Sequence, residues 1–196
     1  MDNVFHARIN PKRKKRIKEE IMNRVAKFDK VSFEQFWSDY IDIFSEFSTE
    51  LHKIEMIKDI YNKIELPTRA TQGSAGYDFK SPMDIELKPG ETIKIPTGIR
   101  CRIEDGWVLK LYPRSSFGFK YRLQLDNTVG IIDSDYYGSN NEGHIMVKIT
   151  NDSNEGKVFK VNRGQGFVQG IFVPYGITVD DNVDDIRNGG FGSTER

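Results

Sequence analysis

The chain has 196 residues, enough for one domain with an extension or for two small domains. Its 29 basic and 29 acidic residues cancel, so no overall field attracts nucleic acid or an anionic membrane, and no apolar run of about 18 residues is present to span a bilayer. The single cysteine excludes an internal disulfide, and the N-terminus lacks a signal-peptide core, which together predict a cytoplasmic protein.

Two helical patterns come before Pro67. Residues 32–54, SFEQFWSDYIDIFSEFSTELHKI, carry apolar side chains at steps of three and four, which predicts one amphipathic helix whose start, Ser32 followed by Gln35, fits a capping box. Residues 11–30 show a weaker helical pattern. We therefore predict a helical N-terminal extension over residues 1–55, whose apolar stripe either covers the rest of the chain or meets its own copies.

Positive charge is concentrated at the N-terminus. Residues 1–30 contain ten basic and four acidic side chains, and residues 12–18 read KRKKRIK. A solvated basic helix face is the expected role, and contact with nucleic acid or with a protein partner is the alternative.

After Pro67 the apolar period changes to two. TIKIPTGIRCRI alternates apolar and polar residues, and further strand-like runs follow at WVLKLY, HIMVKIT, KVFKV and FVQGIFVPY, separated by Gly-containing turns. Many short strands at close intervals predict a mainly β sandwich, barrel or jelly roll. The boundary with the helical part lies between residues 52 and 66, because IKDIYNKIEL suits either the end of a helix or a first strand.

Four stretches of the β half carry candidate chemistry. SAGYDF reads as a turn that leads into a strand, and YPRSSFGF places a forked cation and two hydroxyls after a strand, a set that suits phosphate oxygens. In RGQGFVQGIFVPY the amide of Gln169 interrupts an apolar run and needs a partner. An ordinary strand exit with a solvated arginine is the alternative for the second stretch.

The stretch DNTVGIIDSDYYG combines several polar groups with a buried-looking run. Asn127 offers a donor and an acceptor, which matches the edge of a pyrimidine, and Gly130 lets a strand approach a ligand closely. Asp133 follows the apolar run and is expected to be partly desolvated. The alternative is a hairpin whose acids and tyrosines face water.

The last eight residues, GGFGSTER, place an aromatic ring and two hydroxyls among glycines. Such a tail either frays or wraps a phosphate and lays its ring on a flat group.

Taken together, these stretches closely resemble the five motifs of the dUTPase family: AGYDF, PRSSF, VGIIDSDYYG, GQGFVQ and GGFGST, in that order and with the lead-in LPTRATQGSAGYD. The resemblance runs from about residue 56 to the end. It implies a jelly-roll-like β domain over residues 56–188, a flexible tail over 189–196 that closes the active site, and a homotrimer whose sites are shared between subunits. The implied activity is hydrolysis of dUTP to dUMP and pyrophosphate.

The resemblance also assigns roles. Asp133 matches the general base that activates water for attack on the α-phosphorus, and Asp78 matches an acid that touches Mg²⁺, the implied cofactor, through water. Asn127 and Gly130 would read uracil, and Tyr136 would pack under deoxyribose and exclude a ribose 2′-hydroxyl. The implied phosphate and tail contacts are Arg114, Ser115, Ser116, Gln169, Arg187, Gly192, Ser193 and Thr194, while Phe191 would stack over the base. Asp135 is interpreted as structural.

Two departures from the family pattern stand out. Gly166 occupies the place where the family usually has an arginine, and Arg163, three residues earlier, either replaces that cation or leaves phosphate binding weaker. Glu195 and Arg196 stand where a glycine often follows the Ser-Thr pair.

Two other functions remain open. A dCTP deaminase shares the fold, but its chemistry usually relies on a glutamate base and a different sequence around the IID site. A non-catalytic regulatory protein that senses nucleotide is the third reading, against which Asp133, Tyr136 and Phe191 weigh. His6, His52 and His144 are expected at surface or helical positions and not as metal ligands, and Cys101 is expected in the core.

Overall fold

A computed structural model describes residues 23–44, 51–185, 187 and 189. The described chain contains twelve strands, three α-helices and one 3₁₀ helix. In chain order they are β1 (Ala26–Lys30), α1 (Phe33–Ile43), α2 (Leu51–Asn62), β2 (Thr68–Arg69), β3 (Tyr77–Lys80), β4 (Ile85–Leu87), β5 (Thr92–Pro96), β6 (Ile99–Ile103), β7 (Trp107–Pro113), α3 (Ser115–Tyr121), β8 (Leu123–Leu125), β9 (Gly130–Ile132), the 3₁₀ helix (Ser134–Gly138), β10 (Met146–Asn151), β11 (Phe159–Val161) and β12 (Gly166–Pro174).

The strands form antiparallel sheets. The largest has the order β2-β3-β12-β7-β9, a second has the order β5-β10-β8, and two pairs join β11 with β4 and β1 with β6. The alternation read in the sequence sets the strand faces: in β6, Ile99, Cys101 and Ile103 are buried while Arg102 is exposed. The prediction of a mainly β, jelly-roll-like fold is confirmed.

The N-terminal helix is shorter than predicted. Ser32 caps α1 by accepting a hydrogen bond from the Gln35 backbone N–H at 3.1 Å, which is one half of the predicted capping box. The other half is not formed, because the Ser32 N–H donates to Glu142 and the Gln35 side chain donates to Asp39. The helix ends at Ile43, because its C-cap residue Phe44 leaves the helical region with φ −114° and ψ 52°, and a second helix begins at Leu51. The prediction of one helix over residues 32–54 is therefore wrong, and IKDIYNKIEL completes α2 instead of starting a strand.

The segment just before α1 is a strand and not a helix. Residues 26–30 pair antiparallel with β6, and the Phe28 ring packs against the rings of Tyr77, Phe79 and Phe172 at 5.4 to 5.7 Å. Pairing with the edge of β6 and packing of Phe28 among three aromatic rings stabilise a strand here, and the helical pattern of these residues is too weak to compete. The helical prediction for residues 11–30 is thus wrong for these five residues, and residues 1–22 lie outside the described chain.

Both N-terminal helices cover the β domain. Phe36 and Tyr40 of α1 and Ile57 and Ile60 of α2 belong to the same buried cluster as the sheet residues. The apolar stripe therefore meets the sheets, which settles one alternative left open by the sequence. No helix among the described residues is long and apolar enough to cross a bilayer.

Cys101 lies in the core as predicted, and burial with the nearby Asp29 charge raises the pKa of its thiol to about 12. His52 lies in α2, and His6 lies outside the described residues. The expectation of a surface or helical position is wrong for His144, which is 0% exposed and lies between the 3₁₀ helix and β10.

Candidate active site

A cavity of about 440 Å³ opens beside the turn between β8 and β9. Asn127 and Gly130 both line it, as expected for the base-reading segment. Its apolar wall includes Leu111, Leu125, Ile132 and Met146, and its polar rim includes Lys94, Asp126 and Lys148. An apolar slot with few polar groups suits one flat heterocycle.

The turn that carries Asn127 has an uncommon backbone. Thr128 adopts φ 66°, in the left-handed region that β-branched residues rarely occupy, and its N–H donates to Leu125 O at 2.8 Å. Asn127 is exposed at this turn, so its amide is available to a ligand. A strained backbone of this kind recurs at ligand-binding sites.

Packing explains Gly130 directly. A Cβ at this position would lie 2.9 Å from Leu111 Cβ of the paired strand β7. The glycine therefore lets β9 lie against β7, in addition to lining the cavity. A glycine is therefore required at this position by the close approach of strand β7, and not only by that of a ligand.

Asp133 follows β9 directly and begins the 3₁₀ helix, one residue beyond the cavity-lining Ile132. Its side chain is 44% exposed, and Oδ2 accepts a hydrogen bond from Arg187 Nη2 at 2.8 Å. The Arg187 Nε lies 3.3 Å from Asp135 Oδ1 but has no hydrogen-bond partner among the described residues. One largely buried guanidinium thus joins both acids of the IIDSD segment.

Tyr136 is buried next to that ion pair. Only 4% of Tyr136 is exposed. Its hydroxyl donates a hydrogen bond to His144 O at 2.9 Å, and the hydroxyl oxygen accepts one from Asn141 Nδ2 at 2.9 Å. Burial raises the pKa of Tyr136, so the phenol stays neutral. Asn141 was not among the site residues predicted from the sequence.

A second cluster gathers three residues from separate motifs. Strand β12 lies between β3 and β7, which places Gln169 opposite Asp78 on one side and Tyr112 on the other. Arg114 Nε lies 3.2 Å from Asp78 Oδ1, and Arg114 Nη1 donates to Gly166 O at 3.2 Å. Gln169 Nε2 donates weakly to Pro113 O at 3.4 Å.

Ser115 and Ser116 are exposed at the start of α3, immediately after that cluster. Their hydroxyls therefore extend the polar surface that Arg114 begins. The predicted tail residues Phe191, Gly192, Ser193 and Thr194 lie outside the described residues.

Arg163 is engaged elsewhere. Its Nη1 lies 3.2 Å from Asp59 Oδ2 of α2, and its backbone N–H donates to Asp84 Oδ1 at 2.7 Å. A Cβ at Gly166 would lie 3.2 Å from Arg114 Nη1. The guanidinium of Arg114 thus occupies the space beside Gly166, and Arg163, in the turn before β12, pairs with α2.

The described residues contain no group of three or more histidine, cysteine, aspartate or glutamate side chains arranged to hold a metal ion. Asp78 stands as a single carboxylate beside Arg114, and it is 23% exposed. Magnesium usually keeps several waters and takes one or two carboxylates plus phosphate oxygens. This donor set fits an ion carried by a triphosphate and touched through water.

The fold and these two groups of residues define a jelly-roll β domain with an apolar cavity at the β8–β9 turn and a polar surface around Arg114. Residues 62–195 match the dUTPase family model. The chain belongs to the dUTPase family.

Individual relatives support the same family assignment. The deoxyuridine 5′-triphosphate nucleotidohydrolase of Lactococcus lactis is 42% identical over 134 residues, which is 67% of this chain and 88% of the relative. The protein of the same name from Hahella chejuensis is 41% identical over 145 residues, 70% of this chain and 91% of the relative.

Solved structures show the same fold. The crystal structure of dUTPase from Streptococcus mutans matches with a TM-score of 0.55 and 30% identity, covering 79% of this chain and 98% of that one. The dUTPase of Staphylococcus bacteriophage 80alpha matches with a TM-score of 0.56 at 19% identity, covering 89% of this chain and all of that one. At that identity the second likeness concerns the fold.

Proposed function

We propose that the chain hydrolyses dUTP by attack of a water molecule, activated by Asp133, on the α-phosphorus. Hydrolysis of dUTP to dUMP and pyrophosphate is the activity of the family to which the chain belongs. The observation that carries the mechanism is the continuity of one segment: Asn127 and Gly130 line the cavity, and Asp133 follows the same strand. A base bound in the cavity therefore brings its nucleotide to this carboxylate.

The cavity end would recognise deoxyuridine. Asn127 would pair with the polar edge of uracil, and a slot lined by Gly130 leaves no room for a 5-methyl group. Fixed polar partners reject a base that leaves them unpaired. The buried ring of Tyr136 would pack under deoxyribose, where a ribose 2′-hydroxyl would collide.

The polar cluster would hold the phosphates. Arg114 offers a forked cation, Ser115 and Ser116 offer hydroxyls, and Gln169 lies on the neighbouring strand. Arg187 already contacts Asp133, so its guanidinium stands where phosphate charge would accumulate. Phe191 would stack over the base while Gly192, Ser193 and Thr194 wrap the phosphates.

Mg²⁺ bound to the triphosphate would neutralise charge on the leaving pyrophosphate. Asp78 would hold a water of that ion, and Arg114 would orient the carboxylate through their 3.2 Å contact. Asp133 itself would take the proton of the attacking water, a role that typically contributes roughly 10²–10⁴-fold to the rate.

The site would be shared within a homotrimer. Large apolar side chains stay exposed beside the site motifs: Phe119 of α3 is 92% exposed and Ile131 of β9 is 51% exposed. Apolar side chains, phenylalanine in particular, are enriched in the buried centre of protein interfaces, which supports a contact role for these two residues. Neighbouring copies would cover them and bring Arg114 of one chain to Asp133 of another.

Pyrophosphate release from dUTP, UTP, dTTP and dCTP, with and without Mg²⁺, tests this function. We expect release from dUTP far above the others and a strong fall when Mg²⁺ is removed. Ammonia release from dCTP would indicate the deaminase instead. Nucleotide binding without any release would indicate a regulatory protein.

A further inference from the structure

The N-terminal segment, residues 26–43, forms hydrogen bonds with residues 142–144, which follow the 3₁₀ helix. The Ser32 N–H and hydroxyl donate to Glu142 Oε2 and Oε1 at 2.8 and 2.6 Å. About two turns further along α1, Asp39 Oδ2 lies 2.6 Å from His144 Nδ1. Two charge-assisted contacts thus join α1 to residues 142–144.

His144 is fixed at both ring nitrogens. Its Nε2 accepts the Gly98 backbone N–H at 2.7 Å, so the ring proton resides on Nδ1 and is donated to Asp39. The imidazole is 0% exposed, and the Phe36 ring lies 6.1 Å from it. The N-terminal helix therefore holds one of the two ring nitrogens of this histidine and packs against its ring.

The backbone of the same histidine holds Tyr136. His144 O accepts the tyrosine hydroxyl at 2.9 Å, and Asn141 Nδ2 donates to that hydroxyl at 2.9 Å. Between them, Gly143 packs so tightly on the 3₁₀ helix that a Cβ would lie 2.6 Å from Tyr136 O, and its φ is 68°. A shift of residues 141–144 would therefore move the Tyr136 ring.

We propose that Asp39 and His144 are positioning residues for Tyr136, so that the N-terminal segment sets the preference of the site for deoxyribose over ribose. The proposal rests on the proposed function, because the contact of Tyr136 with the sugar comes from there. A Tyr136 ring that is held at both its hydroxyl and its backbone excludes the 2′-hydroxyl of ribose, whereas a ring that can move away from the sugar admits it. Precise placement of a site residue by its supporting contacts is a general requirement for such discrimination.

The measurement is the ratio of kcat/KM for dUTP to kcat/KM for UTP. Asp39→Ala removes the acceptor for His144 Nδ1–H, and we expect the ratio to fall about three- to tenfold, because only part of the free energy of one charge-assisted hydrogen bond reaches the Tyr136 ring. Asp39→Asn keeps an acceptor oxygen and should restore the ratio to within about twofold of wild type. Asp42→Ala, at an exposed carboxylate of the same helix, is the matched control and should leave it unchanged.

A Tyr136→Phe background separates positioning from general stability. Without the hydroxyl, Asp39→Ala should change the ratio less than it does in wild type, because the hydrogen bond from the ring to His144 O has already been removed and only the backbone contact through Gly143 remains. Asn141→Ala removes the other hydrogen bond to that hydroxyl and should lower the ratio even if Asp39→Ala does not fold. An unchanged ratio in Asn141→Ala and in a folded Asp39→Ala, or an equal fall in both Tyr136 backgrounds, would overturn the proposal.

Amide hydrogen exchange over residues 136–145 provides a readout that needs no turnover. Faster exchange in Asp39→Ala than in Asp42→Ala supports the link between α1 and Tyr136, and equal exchange overturns it. A wild-type protein that releases no pyrophosphate from dUTP would instead refute the proposed function, so the two failures are distinguishable.

Discussion

Arg114 and Arg163 illustrate how side-chain contacts decide a residue's role. Arg114 directs one nitrogen to the Asp78 carboxylate and another to Gly166 O, both at 3.2 Å, and so lies where three motifs meet. Arg163 pairs with Asp59 of α2 at 3.2 Å. Proximity in sequence therefore does not decide which cation lies beside Gly166, and in the structure that cation is Arg114.

The contacts of Arg114 with both the Asp78 carboxylate and Gly166 O lead to a prediction. Arg114→Lys keeps the charge but provides a single ammonium, which cannot serve both partners. We expect kcat/KM for dUTP to fall about tenfold or more, as for the loss of one or two hydrogen bonds to charged groups. Arg122→Lys, at an exposed arginine that pairs with Asp152 at the end of α3, is the matched control. Equal kinetics in the two variants would contradict this role.

At the scale of elements, the sequence predicted features that depend on neighbouring residues, but it did not predict features that depend on distant partners. The alternation in β6 and the cap at Ser32 follow from neighbouring residues, so both were predicted correctly. Strand β1 depends on the distant edge of β6, and the burial of His144 depends on Asp39, 105 residues away. No pattern within one segment reports such partners.

The candidate site divides in the same way. Asn127, Gly130 and Asp133 belong to one continuous stretch, and the structure places them together around the β8–β9 turn and β9. The contact of Arg187 with Asp133 brings together residues 54 positions apart, and it became visible only in the folded chain. Asn141 was missed because a polar turn does not reveal which hydroxyl it will bind.

The contact between α1 and residues 142–144 should make stability depend on acid. Burial alone would raise the pKa of Asp39, but hydrogen bonds from His144 and Gln35 outweigh it and hold the pKa below its ordinary 3.8. Burial would likewise raise the pKa of Glu142, and hydrogen bonds from Ser32 hold it below 4.5. Between the unfolded and folded pKa values the unfolded chain binds more protons, so stability falls as pH falls.

We therefore predict that the free energy of unfolding declines below about pH 5 and that part of the decline disappears in the variant Asp39→Asn/Glu142→Gln. The variant should be less stable than wild type at pH 7, and the two should converge as the pH approaches about 2. Urea unfolding followed by fluorescence at a series of pH values measures this. A stability difference that stays constant over the whole range would contradict the assignment.

At the scale of the whole molecule, two observations favour an assembly: Phe119 and Ile131 are exposed, and Arg114 and Gln169 do not line the cavity that Asn127 and Gly130 line. In the proposed homotrimer, Asp133 of one chain works with Arg114 of another. Two inactive variants could then complement each other, which a site within one chain cannot do.

Co-expression of Asp133→Asn with Arg114→Ala tests this sharing. Random assembly at equal amounts leaves about a quarter of the sites with both native residues, so about a quarter of wild-type turnover should return. Each variant alone should remain inactive, and light scattering should report three chains per particle. A mixture no more active than its components would contradict the shared site.

The central claim is that the Asp133 carboxylate deprotonates the attacking water. Asp133→Asn preserves the size of the side chain and removes its basicity, so pyrophosphate release from dUTP with Mg²⁺ should fall by about 10²-fold or more. Binding of a non-hydrolysable dUTP analogue by the same variant should stay within a few fold of wild type. Release of pyrophosphate by Asp133→Asn at the wild-type rate would contradict the account.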